Sequence, residues 1–164
     1  MPKVIFLGSG GTSTVVSRQL RSTGGIIIQV EGLQFHLDPV PGALLKAKEY
    51  GVSLHHTTAI LVSCSSLTHC NDLNVCIDAM THGGLEQHGL VLGSKSALYG
   101  ADDFKPILGK VQQQRVEKVI PLEQKHKIGI DLVEINSFPV VQEDPHAVGF
   151  RIFFPGLTIG YPGD

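Results

Sequence analysis

Short apolar runs separated by glycine, proline and aspartate recur along the whole chain of 164 residues. The runs are rich in β-branched residues, and several alternate with polar positions, which is the pattern of strands in a layered sheet. The run at 58–63 is almost wholly apolar and predicts a strand buried on both faces. The predicted strands cover residues 3–8, 25–30, 33–39, 58–63, 89–94, 116–121, 130–138, 147–154 and 157–161.

Two segments between these strands have a helical pattern. Residues 41–51 begin near a proline, continue through strong helix formers and end at a glycine, which predicts a short helix. Residues 70–84 carry apolar side chains at helical spacing, and two glycines end the segment. We expect the second helix to pack on the sheet.

The glycines after the first strand allow two interpretations. Gly8, Gly10 and Gly11 follow a strand as in a dinucleotide-binding turn. A βαβ crossover needs a helix of about ten residues before the next strand. Residues 13–25 are instead β-branched at positions 14–16 and end in two glycines, so we favour a glycine-lined turn between strands.

Composition limits the function classes. A chain with 42% hydrophobic and 17% charged residues is long enough for one compact core, so we expect a single domain over residues 1–164. The net charge of -2 provides no basic surplus for a nucleic-acid backbone, and no nucleic-acid partner is expected. The apolar run at the N-terminus is too short for a signal peptide or membrane span, so we expect no membrane contact and a cytoplasmic protein. Three cysteines, Cys64, Cys70 and Cys76, fit reduced thiols better than a disulfide framework.

Five segments in order resemble one family. They read FLGSGGT, HLDPVPGAL, AILVSCSSLTHCNDLN, EDPHAVGFRI and TIGYPGD, and together they extend over essentially the whole chain. In order and approximate spacing they are similar to the metallo-β-lactamase fold, in the branch of ribonuclease Z and related archaeal hydrolases. The resemblance implies an α/β protein, an αββα sandwich. It also implies that the chain is incomplete at its C-terminus, with most of the first half and the start of the second.

The resemblance also implies a zinc site, and here the sequence departs from the family. After the strand that ends in Ser63, the family has His-x-His-x-Asp-His, whereas this chain has Cys64, Ser66, Thr68 and His69 at those four positions. Only the last histidine is kept. Cys64 is a weak substitute ligand, whereas the two hydroxyl groups are poor zinc ligands beside imidazole and thiolate.

Two further ligand positions lie near the end of the chain. The later histidine of the family falls on Gln142, and the bridging aspartate falls on Asp164. Three strong ligands are reached only if Cys64, His69 and Asp164 converge on one ion. We therefore expect no resident cofactor, with zinc possible at low occupancy.

Loop residues around the site carry a second set of expectations. Asp38, Gly10 and Gly11 are expected to shape the neighbouring loops by hydrogen bonding and close backbone approach. Val40 stands where the family usually has glycine, a position that can require a backbone only glycine adopts easily. Pro162 replaces a common threonine beside Asp164.

Two functions follow from this pattern. The first is a protein related to zinc-dependent phosphodiesterases of the ribonuclease Z type that has lost catalysis because most ligands are replaced. The alternative is a residual mononuclear zinc hydrolase acting on a phosphodiester or an ester. A Cys64 nucleophile with His69 as its base is a further possibility, although a free cysteine is usually a small buried hydrophobe.

The remaining histidines are interpreted mainly as surface residues. His55 and His56 precede a strand in a loop, and His146 lies next to a proline. His82 and His88 flank a short loop, where they either line a pocket or face solvent, and a solvated loop is favoured.

Self-association is expected from the missing second half. If the inner sheet face lacks its cover, its apolar residues need a partner, and a homodimer or larger assembly would provide one. The residues concerned are Ile26, Ile28, Ile60, Val62, Ile152 and Phe154.

Overall fold

A computed structural model describes residues 2–163 and contains two packed β-sheets. The first sheet has six strands that lie in chain order. Its first three strands pair antiparallel, and the third to sixth strands pair in parallel. The strands are β1 (Lys3–Phe6), β2 (Ile26–Val30), β3 (Leu33–Leu37), β4 (Ala59–Val62), β5 (Leu90–Ser94) and β6 (Lys118–Leu122).

The second sheet has four antiparallel strands in the order β10, β9, β8, β7. Its strands are β7 (Lys127–Ile130), β8 (Val133–Pro139), β9 (Val148–Phe154) and β10 (Leu157–Tyr161). The single strand predicted over 130–138 is wrong at its start, because the chain turns there. Asp131 has a φ of 52°, and this turn joins β7 to β8 as a hairpin.

Helices fill the connections of the first sheet. They are α1 (Ser13–Ser17), α2 (Ala43–Glu49), α3 (Leu67–Cys70), α4 (Leu73–Met80), α5 (Lys95–Tyr99) and α6 (Lys110–Arg115), with 3₁₀ turns at Leu54–His56 and His82–Gly84. None of the helices in residues 2–163 combines the length and the apolar character that crossing a lipid bilayer requires.

The helix predicted over 70–84 is shorter in the structure, because α4 begins after Asp72 and ends at Met80, before the 3₁₀ turn at His82–Gly84. The Asp72 backbone N–H donates to the Pro39 carbonyl (3.0 Å), and its carboxylate accepts the Gly42 N–H (3.0 Å). Asp72 therefore connects this region to the start of α2. The short α4 that follows buries Leu73, Cys76, Ile77 and Met80, the apolar positions that predicted the helix.

Two hydrophobic cores lie on opposite faces of the first sheet. One core packs α2, α4 and α5 against residues such as Ile27, Ile60 and Val62. The other fills the space between the two sheets. Strand alternation produces this arrangement, because successive side chains of a strand point to opposite faces. The chain therefore forms a helix layer, a six-stranded layer and a four-stranded layer.

The apolar residues expected to need cover from a second copy are covered within the chain. Ile28, Ile152 and Phe154 are buried between the sheets, and Ile60 and Val62 are buried under the helices. Ile26 is half-buried. These side chains already have their cover within one chain, so they do not require a second copy.

The glycine loop after β1 is a turn and not a nucleotide-binding crossover, since β1 pairs directly with β2 in antiparallel register. The N–H groups of Ser9 and Gly10 donate to the Ser22 carbonyl. A Cβ at Gly8 would lie 2.2 Å from that carbonyl oxygen, which no side chain permits. The glycine thus allows the two backbone segments to approach closely.

The unusual backbone conformation expected at Val40 occurs instead at Asp38 and at Gly42, two residues before and after it. Asp38 has a φ of 44° and Gly42 a φ of 92°, whereas Val40 is not among the described residues with positive φ. Val40 is instead a buried side chain. Valine is accordingly tolerated at this position.

Candidate functional site

Asp38 and the motif from Cys64 to His69, which the sequence singled out, follow the carboxyl ends of parallel strands. Asp38 follows β3, Ser63 follows β4, and Ser94 ends β5. Because β3, β4 and β5 are parallel neighbours, their ends meet at one edge of the sheet. Ligand sites in open α/β sheets form at this edge.

Asp38 is the centre of a buried hydrogen-bond network. Its Oδ1 accepts the Ser63 backbone N–H (2.7 Å), and its Oδ2 accepts the Ser63 hydroxyl (2.6 Å) and the Tyr161 hydroxyl (2.7 Å). The His69 Nδ1 lies 2.9 Å from the same Oδ2. With 1% exposure, the carboxylate depends on these donors in place of water.

His69 is buried on the short helix α3. With Nδ1 directed at Asp38, a metal ion on this imidazole would have to be bound through Nε2. A carboxylate that holds the second nitrogen of a histidine is the usual support of a metal-binding imidazole. His69 therefore has the surroundings of a ligand, although most of the other ligand positions have changed.

Cys64 differs from a reactive thiol. The side chain is 1% exposed, and burial raises the pKa of its thiol to about 12. The thiolate is the form that attacks a substrate or binds a metal. The protonated state of Cys64, together with the Asp38 partner of His69, disfavours the nucleophile and base pair considered from the sequence. Cys70 and Cys76 are buried in the helical core, and all three cysteines are free thiols.

Ser66 and Thr68 bond to each other, with their hydroxyl oxygens 2.8 Å apart. They line a cleft of about 450 Å³. Hydroxyl and amide groups and the carboxylates of Glu143 and Asp144 supply its polar surface. The lining residues include Gly11, Thr12, Ser13, Cys64, Ser65 and Gln142.

Asp144, two residues after Gln142, holds the loop between β8 and β9. The Asp144 carboxylate accepts Ser65 N–H (2.9 Å), Ser65 O–H (3.0 Å), the Ser96 hydroxyl and His146 N–H (2.9 Å). Burial alone would raise the pKa of Asp144, but these hydrogen bonds outweigh it and lower the pKa. The loop from β8 to β9 is thereby connected to the loop after β4.

Gln142 then faces the end of the chain. Its Nε2 is buried without a hydrogen-bond partner in the described part of the protein. A Cβ built on Gly163 would lie 3.1 Å from this nitrogen and 3.3 Å from the Ser63 hydroxyl. The structure thus brings Ser63, Gln142 and Gly163 together. Asp164 lies outside the described residues, so its convergence with Cys64 and His69 stays a prediction.

Some residues of the site were not predicted. Asp144, Ser96 and Tyr161 have no role in the ligand pattern, yet their hydrogen bonds hold its loops. Asp144 belongs to the EDPHAVGF segment that supported the resemblance, and its place in that segment beside a proline was the signal available in the sequence. Nothing comparable marks Ser96.

Sequence comparisons give two curated relatives, while no family model matches the chain. An uncharacterized protein of Methanocaldococcus jannaschii is 30% identical over 162 residues, which are 99% of this chain and 61% of the relative. A ribonuclease Z of Methanopyrus kandleri is 30% identical over 96 residues, which are 57% of this chain and 33% of that protein. The chain therefore spans less than two thirds of either relative.

Solved structures match over a larger part of this chain. The metallo-β-lactamase fold protein YhfI from Bacillus subtilis has a TM-score of 0.72 and 16% identity, over 99% of this chain and 62% of that one. The short form of human tRNase Z has a TM-score of 0.68 and 15% identity, over 100% and 69%. A diphosphatase of the PhnP family has a TM-score of 0.62 and 16% identity, over 93% and 63%.

These matches confirm the fold inferred from the five segments. The protein has the metallo-β-lactamase fold, in a part that corresponds to about three fifths of its structural neighbours. Its sequence is similar to the ribonuclease Z branch of that fold.

Proposed function

We propose that this chain is a metallo-β-lactamase fold protein, related to zinc-dependent phosphodiesterases, that does not catalyse hydrolysis by the metal mechanism of that fold. The observation that supports it is the state of the replaced ligand positions. Cys64 is a buried thiol with a raised pKa, and Ser66 and Thr68 are hydrogen-bonded to each other. Neither arrangement presents a strong zinc ligand.

The chemical reason concerns the attacking water. Hydrolysis of a phosphodiester by the metal mechanism of this fold requires a metal that lowers the pKa of its bound water to about 7. Such a metal needs three or more strong protein ligands. At Cys64, Ser66 and Gln142, thiol, hydroxyl and amide groups stand where the family has imidazoles, so the affinity for zinc is low.

Restoring the ligands tests this proposal. The variant that combines Cys64→His, Ser66→His, Thr68→Asp and Gln142→His should bind zinc at this edge, whereas the parent protein should bind little there. Zinc is titrated into each protein with and without the additional substitution His69→Ala. The difference between the two titrations counts only the zinc that depends on His69. Hydrolysis of bis(p-nitrophenyl) phosphate is followed in parallel.

The parent protein should show no zinc-dependent turnover above the buffer rate. Turnover that disappears in His69→Ala would contradict the proposal. A restored variant that folds but binds no more zinc through His69 would show that these four positions were assigned incorrectly.

One observation favours the second candidate, a residual mononuclear zinc hydrolase acting on a phosphodiester or ester. Asp38 orients His69 as a supporting carboxylate orients a metal-binding histidine. Cys64, His69 and Asp164 would be the ligands. The same titration separates the two candidates, since this one requires zinc that is lost in both Cys64→Ala and His69→Ala.

Assembly and location belong to the same proposal. A homo-oligomer remains our expectation, with the exposed edge of β1 as its contact in place of the buried sheet face. A cytoplasmic location is supported by the three free thiols, since disulfides dominate in oxidising compartments. The net charge of -2 still disfavours a nucleic-acid partner.

A further inference from the structure

Histidines expected as solvated surface residues form a cluster at the opposite edge of the first sheet. His55 lies in the 3₁₀ turn before β4, and His82 lies in the 3₁₀ turn after α4. The ring centroids of these two residues are 3.8 Å apart. Glu86 adds a carboxylate oxygen 3.9 Å from the His55 Nε2.

We infer that His55, His82 and Glu86 form a binding site for a late first-row divalent metal ion of the Zn²⁺ type. Their possible ligand atoms all lie within 4.8 Å of one another. Two histidines and one carboxylate are a ligand set that zinc accepts, and three protein ligands leave one position open to water. Imidazole nitrogens favour zinc, nickel and copper over magnesium or calcium.

Binding requires the ligand atoms, which lie within 4.8 Å of one another, to move closer by up to about 1.5 Å. Ligands at zinc bond lengths of about 2.0 to 2.2 Å in a tetrahedral site lie about 3.3 to 3.6 Å from each other. The His55 and Glu86 atoms, at 3.9 Å, are near this spacing. Since His82 and Glu86 are exposed and His55 is half-buried, the exposed pair can adjust toward the fixed ring.

His55 is already oriented for metal binding. Its Nδ1 lies 3.1 Å from the Met80 carbonyl oxygen, which can only accept a hydrogen bond. The proton of the neutral ring is therefore on Nδ1, and the lone pair of Nε2 is directed toward Glu86. A backbone carbonyl that fixes the tautomer of a histidine is a common support of metal ligands.

The backbone between the other two ligands is also ordered. His82 has a φ of 49°, an unusual value for a residue with a side chain, and Gly83 has a φ of 71°. The Thr81 carbonyl accepts the N–H groups of Gly84 (2.9 Å) and Glu86 (3.2 Å). The turn thus returns Glu86 to the side of His82, and the ligands are partly preorganised.

The site is separate from the Asp38 network. β4 and β5 run in parallel from the histidine edge to the Asp38 edge, a distance of about 15 Å at 3.3 Å per residue. His55 and His82 also line a groove of about 370 Å³, together with Leu44, Lys48 and Ala79. The inference is therefore independent of the proposed loss of catalysis.

Metal titration with matched variants tests the inference. Zn²⁺ is titrated into the full chain at pH 7.5, and Co²⁺ absorption reports the coordination geometry. We expect one ion per chain through this site and a rise in Tm with zinc concentration, because an ion that binds only the folded state stabilises it. His82→Asn and Glu86→Gln should each weaken binding at least about tenfold. Asparagine tolerates positive φ, so His82→Asn keeps the turn.

His56→Ala is the control, since it removes an exposed imidazole of the same 3₁₀ turn, 5.8 Å from the His55 ring between centroids, that is not one of the three proposed ligands. It should bind zinc as the parent does. Absence of zinc binding in the parent, unchanged binding in His82→Asn and Glu86→Gln, or an equal loss in His56→Ala would overturn the inference. Loss of the ion in His69→Ala would also overturn it, because the metal would then lie at the Asp38 edge.

Discussion

At the scale of single residues, Asp38 makes more polar contacts than any of the metal-ligand positions. Its carboxylate is buried and accepts hydrogen bonds from Ser63 and Tyr161 while contacting His69. Tyr161 comes from the second sheet, so this one side chain joins both layers. Its importance for stability can be measured apart from any catalytic role.

We predict that Asp38→Asn lowers the free energy of unfolding by about 3 kcal/mol, because an amide in place of the carboxylate leaves buried donors facing each other. Tyr161→Phe removes one hydrogen bond from the network and should cost about 1 kcal/mol. Urea unfolding of the three proteins measures both differences. Equal stability of Asp38→Asn and the parent would show that the network contributes nothing net.

His36 predicts a pH dependence. It is fully buried on β3, with Nε2 3.1 Å from the Gly24 carbonyl oxygen, and burial lowers its pKa from 6.5 to about 4. Between these values the unfolded chain binds a proton that the folded chain does not. The stability is therefore complete above pH 6.5 and decreases as the pH falls toward 4.

Between pH 7 and pH 5, His36 should account for a loss of about 2 kcal/mol. His36→Gln, which can still donate to Gly24, should remove this part of the pH dependence. Unfolding at both pH values measures it, and His126→Gln, at an exposed histidine, is the control. An unchanged pH slope in His36→Gln would contradict the assignment.

Whether a residue of the site could be predicted depends on how far it lies along the sequence from the residues that it contacts. The ligand positions from Cys64 to His69 could be interpreted because they lie in one short motif. Asp144 contacts Ser65 across 79 positions, and Tyr161 contacts Asp38 across 123. Such pairs leave no periodic signal, so only the folded chain shows them.

At the scale of elements, the strands were more predictable than the short helices. Strands such as β9 and β10 have strong alternation and glycine or proline boundaries, and their predicted ranges match closely. α5 and α6 have five and six residues. Segments that short are stabilised by tertiary packing more than by helix propensity, so the sequence pattern did not indicate them.

The β8 to β9 connection predicts a local effect at this scale. Asp144→Asn should weaken the charge-assisted bonds to Ser65 and Ser96 that hold this loop against the loop after β4. Amide hydrogen exchange over residues 141–147 should increase about tenfold, and exchange in the central strands should not change. Glu143→Gln, at the exposed neighbouring carboxylate, is the control. Equal exchange in both variants would show that Asp144 does not hold the loop.

At the scale of the whole molecule, the alternation of apolar residues explains why two sheets close on one core. Alternate residues along β2 and β3 face the second sheet, and the residues between them face the helices. This alternation was visible in the sequence. It did not show that the second sheet would form within the chain, because that depends on long-range packing, and for this reason the expected exposed face was misplaced.

The edge strand β1 of the first sheet exposes apolar side chains. β1 is an edge strand, and Val4 and Phe6 on its sandwich-facing side are 41% and 63% exposed beside the half-buried Ile26. An edge strand with unpaired backbone groups and exposed apolar side chains favours association with another strand. A second copy related by a twofold axis could pair with it antiparallel.

We therefore predict that the protein forms a dimer at high micromolar concentration and that Phe6→Glu makes it monomeric, because a carboxylate at this edge would have to be desolvated in the contact. Light scattering coupled to gel filtration, over a dilution series, measures the mass of each species. Leu45→Glu is the control, since Leu45 is 70% exposed on the outer face of α2 and should leave the dimer intact. A parent protein that remains monomeric at every concentration would refute self-association, and a dimer that persists in Phe6→Glu but not in Leu45→Glu would move the contact from the β1 edge to the helix layer.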